Sequence, residues 1–140
     1  MSQKTRWQER LDMIVDGKLE KPELVNLMRL PDIDEWTPGK IKTHWQVDEA
    51  FFSIGGSLFG GYIASLADQV LSHTALTVLD DDKFFRTISL DVEFYKPIKK
   101  GVLNITGAVN HKSKTRLHCQ VSFEQDGQLM AQAKGIQQLV

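Results

Sequence analysis

AFFSIGGSLFGGYIASLADQVLSHTALTVL, residues 50–79, decides how this chain folds. Its first half is broken by Gly55-Gly56 and Gly60-Gly61. From Tyr62 to Leu79 it is apolar on almost every side, with Ile63, Leu66, Ala67, Val70, Leu71, Ala75, Leu76 and Leu79. A helix apolar on most sides is buried on most sides. Ala50 to Ala67 runs 18 residues without a charge, close to the length of a membrane-spanning helix. The first glycine pair falls mid-stretch, where it would break a span. A glycine-rich loop feeding a buried helix is therefore expected, and no membrane association.

Upstream of this stretch, Ile41, Thr43, Trp45 and Val47 alternate with Lys40, Lys42, His44 and Gln46. That period of two marks a strand with one wet face. Residues 29–39, RLPDIDEWTPG, read as irregular. Trp7, Leu11, Ile14 and Val15 share one face of an N-terminal helix, with Gly17 as its stop. Pro22 opens a short second helix.

Downstream, only strands are expected. Thr87–Tyr95 alternates cleanly, and Pro97–Gly101 makes a turn. Val102–Val109 follows, then a turn at Asn110–Ser113. Leu117, Cys119, Val121 and Phe123 face one way in the next strand. Asp126-Gly127 signals a type I′ hairpin into a last strand over Leu129–Val140. Strands joined by short turns pair antiparallel. The fold class is thus α+β: one antiparallel sheet curling around one long central helix.

The 140 residues suit one domain, divided here into an N-terminal helical extension (1–36) and a main domain (37–140). A net charge of −1 argues against a nucleic-acid partner. A single cysteine, Cys119, and no CxxC pair exclude an internal disulfide or a zinc cluster and fit a cytoplasmic setting. The charged N-terminus has no secretory h-region. No cofactor and no metal are called for; the four histidines have no ligand spacing, and Cys119 lies on an apolar strand face.

Asp68 is the one acidic residue on the apolar helix. Two readings are open. It can share a narrow solvent stripe with Ser65, Gln69 and Ser72, or serve as a base or nucleophile at an apolar pocket. Gly60-Gly61 stands where the helix begins. It is either a tight loop needing positive φ angles or a helix N-terminus whose free N–H groups polarise a carbonyl. Gly60 and Asp68 are eight residues apart, about 12 Å along a helix. Both cannot reach one carbonyl from one chain. Joint action therefore requires two chains and two composite sites.

GGSLFGGYIASLADQ (55–69), SLDVEFYKPIKKG (89–101) and QDGQLMAQAKG (125–135) together resemble the hotdog-fold acyl-CoA thioesterases of the phenylacetate-pathway type. The resemblance covers about residues 40–140. It implies a curved antiparallel sheet wrapped around the central helix, and hydrolysis of an acyl- or aryl-CoA thioester. By position it makes Asp68 the catalytic carboxylate. The Gly60 N–H of the partner subunit polarises the thioester, and Gly61 completes the pair. Ser72 and Ser89 match hydroxyl positions of some members. Where the family has a His and an Asn or Gln, this chain has Phe59 and Ser53. Both are expected at the substrate, with Phe59 lining an acyl pocket. Lys99 on one turn, and Lys112, Lys114 and Arg116 on another, offer charge to the CoA phosphates. The partners implied are an acyl-CoA and a second copy, as a homodimer or a dimer of such dimers. The two departures also fit a non-catalytic acyl-CoA or lipid-like ligand-binding protein on the same fold. A dehydratase of this fold fits less well, because it needs a His near the glycine motif.

Overall fold

The computed structural model describes residues 3–140. In chain order it has α1 (Arg6–Val15), α2 (Glu23–Met28), β1 (Glu35–Thr37), β2 (Lys40–Gln46), α3 (Gly60–Leu76), β3 (Phe85–Phe94), β4 (Val102–Lys112), β5 (Arg116–Gln125) and β6 (Gln128–Leu139). The strands form one antiparallel sheet in the order β1-β2-β4-β5-β6-β3. α3 lies across one face of it.

Alternation in sequence becomes alternation in burial. Ile41, Thr43 and Trp45 of β2 and Leu103 and Ile105 of β4 turn inward, as do Leu117, Cys119, Val121 and Phe123 of β5. Each large apolar side chain so buried is worth about 1.5–3 kcal/mol. Two glycines set how closely α3 approaches. A Cβ on Gly135 would lie 2.6 Å from Leu71 Cδ1, and one on Gly107 would lie 2.1 Å from Thr74 Oγ1. Asp126 (φ 53°) and Gly127 (φ 74°) are both left-handed, as a type I′ turn requires.

The structure departs from the sequence expectations at several points. Residues 35–37, expected to be irregular, form β1, which pairs with β2. The turn expected at Asn110–Ser113 lies further on, and β4 runs to Lys112 with a bulge between Val109 and His111. Residues 97–101 do not make a hairpin. β3 pairs with β6, and the connection crosses the start of α3, where the Leu58 N–H donates to the Ile98 carbonyl at 2.8 Å. Ile98 is buried, so this segment is pinned under the sheet end rather than looped out. Val15 stays exposed on α1.

β3 departs most. Its pairing with β6 slips by one residue, Thr87 standing opposite Gln137 and Ser89 opposite Ile136. The extra residue, Ile88, changes the parity of the strand. Thr87 therefore joins Leu90, Val92 and Phe94 on the face toward α3, while Ser89, Asp91 and Glu93 turn to the other face.

The N-terminal segment is docked onto the sheet and helix. Thr5 and Gln8 form a capping box for α1. The Gln8 side chain donates to the Thr77 carbonyl at 2.8 Å, and Trp7 Nε1 donates to the Lys83 carbonyl at 2.9 Å. Leu11 is fully buried in the same core cluster as the sheet.

Candidate active site

α3 starts at Gly60 because the Phe59 backbone is extended and its carbonyl accepts the Tyr62 and Ile63 N–H groups at 3.0 and 3.1 Å. Among the described residues, the Gly60 and Gly61 N–H groups have no acceptor. They lie at the positive end of a 17-residue helix. Neither glycine has a positive φ, so the tight-loop reading fails. Crowding explains them instead. A Cβ on Gly61 would sit 2.6 Å from the Phe59 ring, and one on Gly60 would sit 3.3 Å from the Phe94 ring. Phe59 and Phe94 are 58% and 55% exposed, so two aromatic faces flank the free N–H groups. A depression of about 410 Å³ opens here, lined in part by Ser53, Gly60, Ile63 and Phe94. Ser53 fixes its loop by donating from both N–H and Oγ to the Ser57 carbonyl.

Asp68 follows two turns along α3 and is exposed in the single chain. Its stripe holds Gly61, Ser65 and Ser72. The two serines turn back on the helix, Ser65 Oγ to the Gly61 carbonyl at 3.0 Å and Ser72 Oγ to the Asp68 carbonyl at 2.8 Å. The carboxylate is held by Thr87, whose Oγ1 donates to Oδ1 at 3.1 Å. The resemblance matched Ser89 to a hydroxyl position of some family members, but the bulge carries Ser89 to the face away from α3 and brings Thr87 to Asp68. Nothing in the residue types of β3 marks the bulge, so Thr87 was not legible.

The basic residues do not come together within one chain. Lys99 lies at the α3 N-terminal end, where its N–H and carbonyl are clamped by the buried Gln125 amide. Lys112 and Lys114 lie at the far end of β4, roughly 35 Å away along the strand. There, with Lys83, they line a depression of about 680 Å³, and Lys112 Nζ donates to the Val78 carbonyl at 2.6 Å. Arg116 reaches Gln138 at 3.4 Å. Cys119 is buried, and burial pushes its thiol up to about 12, so it is no nucleophile. Among the described residues, no group of three His, Cys, Asp or Glu is placed to hold a metal. No helix there is long and apolar enough to cross a membrane.

A sequence model of the thioesterase superfamily matches residues 55–131, from the loop before α3 into β6. The chain belongs to the thioesterase superfamily. The match takes in Gly60, Asp68 and Thr87 together. Among solved structures, the chain is similar to a phenylacetic acid degradation-related protein of Ralstonia eutropha, provisionally described as a thioesterase. The TM-score is 0.81 at 19% identity, covering 91% of this chain and 98% of the other. A thioesterase of Haemophilus influenzae gives a TM-score of 0.78 at 15% identity, covering 94% of this chain and 89% of the other. These likenesses establish the hotdog fold for this superfamily member. A Saccharolobus solfataricus protein, provisionally named an esterase, is 27% identical over 122 residues, 86% of this chain and 80% of that one.

Proposed function

We propose that the protein hydrolyses an acyl- or aryl-CoA thioester to the free acid and CoA at a site shared by two subunits. The observation that carries this reading is the placement of two unlike groups on one helix. Gly60 offers a free N–H at the helix N-terminus, and Asp68 offers a carboxylate about 12 Å away. One carbonyl must lie within about 3 Å of both an oxyanion donor and a base or nucleophile. The partner subunit's Gly60 supplies the donor.

The second copy has a place to dock. β3 is the longer of the two sheet edges, ten residues against three in β1, with Ile88, Leu90 and Phe94 exposed on it. Long apolar edges invite another strand. An antiparallel β3–β3 pairing would cover the α3 stripe and dry the site around Asp68.

In that site Asp68 takes a proton from water as the water oxygen bonds to the thioester carbon, or attacks the carbon itself. The oxyanion is held by the Gly60 N–H. Collapse breaks the C–S bond. On the water route the CoA thiolate leaves and takes the proton back from Asp68. On direct attack it leaves a mixed anhydride of Asp68, which water hydrolyses to the free acid and the aspartate, the thiolate taking up the released proton. Lys112, Lys114 and Arg116 supply cationic charge for the CoA phosphates. A panel of CoA thioesters assayed for free-thiol release tests this reading. Release from an acyl- or aryl-CoA is expected. Binding without release across the panel would favour an acyl-CoA-binding protein instead, the reading that the Phe59 ring over Gly61 supports.

A further inference from the structure

A second apolar space lies away from the Gly60 depression. A cavity of about 340 Å³ lies where α1 and α2 meet the middle of α3. Trp7 and Ile14 of α1, Leu24 of α2 and Phe85 of β3 give it apolar walls. Gln69, Ser72 and His73 of α3 form its floor. We infer that this cavity, built largely by the N-terminal extension, holds the acyl group of the substrate, and that it takes one ring or a medium-length chain. The inference rests on the proposed hydrolase reading.

Continuity with the candidate site supports it. Gln69 adjoins Asp68 in sequence, and Ser72 Oγ is bonded to the Asp68 carbonyl at 2.8 Å. One helical turn, about 6 Å, separates the carboxylate's residue from the cavity floor. A thioester with its carbonyl at Asp68 directs its acyl group along α3 into this space. The opposite direction along α3 leads to the Gly60 end of the same chain.

The lining sets the chemistry. The floor's polar groups are already engaged: Gln69 Nε2 lies 3.4 Å from His73 Nε2, and Ser72 turns back on the helix. The floor itself carries no charge; Arg10, Glu20 and the paired Lys21 and Asp32 also line the cavity. Burial pushes His73 down to about 4, so the floor stays neutral near pH 7. The Lys21–Asp32 ion pair, 3.1 Å, joins the segments before and after α2 and holds that helix over the cavity. The volume is near the lower end of ligand cavities, enough for one ring or roughly six to eight carbons and too small for a long fatty chain.

Leu24 offers the test, because it is 58% exposed and its replacement leaves the core intact. kcat/KM is measured for acetyl-, octanoyl- and hexadecanoyl-CoA in wild type, Leu24→Trp and Leu24→Ala. Binding of 1-octanol is measured alongside by calorimetry. Wild type is expected to prefer octanoyl-CoA. Leu24→Trp should lower the octanoyl-to-acetyl ratio about tenfold or more and weaken octanol binding by a similar factor. Leu24→Ala should move the preference toward hexadecanoyl-CoA. Ratios and octanol affinity unchanged in both variants would overturn the assignment. If no thioester is cleaved by any form, the hydrolase reading falls, and octanol binding alone decides the cavity's role.

Discussion

Thr87 on β3 holds Asp68 on α3 through a 3.1 Å hydrogen bond from Oγ1 to Oδ1, the one side-chain hydrogen bond of that carboxylate among the described residues. It ties the edge strand to the candidate catalytic group. Thr87→Val keeps the branched shape and removes the donor. Hydrogen bonds to charged groups are worth enough that kcat should fall roughly tenfold, with KM little changed. Thr87→Ser should restore most of the rate. Steady-state thiol release from both variants checks this.

The edge on which Thr87 sits should also be the dimer contact. Leu90 is 36% exposed on the face that carries Thr87. Leu90→Asp places a charge where the second copy would bury it. Light scattering after size-exclusion chromatography should show a dimer for wild type and a monomer for the variant, and thioester turnover should be lost with the dimer. A monomeric variant with wild-type turnover would show that one chain suffices.

α3 is seated by two glycines. Gly135→Ala drives a methyl to within 2.6 Å of Leu71 Cδ1. Overpacking of this kind costs about 1–3 kcal/mol. Urea unfolding should show that loss as a lower midpoint with an unchanged slope.

His73 has its pKa lowered to about 4, first by burial and then by Arg10, with Asp32 opposing. The unfolded chain binds its proton near 6.5, so between pH 6.5 and 4 the unfolded state holds more protons than the folded one. The stability that neutral His73 contributes is full above pH 6.5 and falls as pH drops toward 4, by at most about 1.4 kcal/mol per pH unit. Unfolding free energies at pH 7, 6 and 5 should fall less steeply for His73→Gln than for wild type.

Much of this arrangement was readable in the residues. α3 announced itself because a nearly all-apolar helix has only one place to go. β2, β5 and the Asp126-Gly127 hairpin announced themselves through alternation and turn chemistry. β1 did not, because three residues give no period and it forms only against β2. The β3–β6 pairing was hidden because Pro97 and Gly101 look like a hairpin turn, while burial of Ile98 decides otherwise. The bulge at Ile88 leaves no mark in hydrophobicity; the partner strand sets it. It puts Thr87, rather than Ser89, on the face that meets Asp68. The cavity under α1 and α2 arises from docking distant segments, which local pattern does not encode.

The most direct measurement is turnover by Asp68→Asn on the best acyl- or aryl-CoA found in the panel. The side chain is exposed in the single chain, so the variant should fold and assemble as wild type does. A catalytic carboxylate predicts a fall in kcat of about 10²–10⁴-fold with the oligomer intact. Full activity in the folded variant would contradict the account.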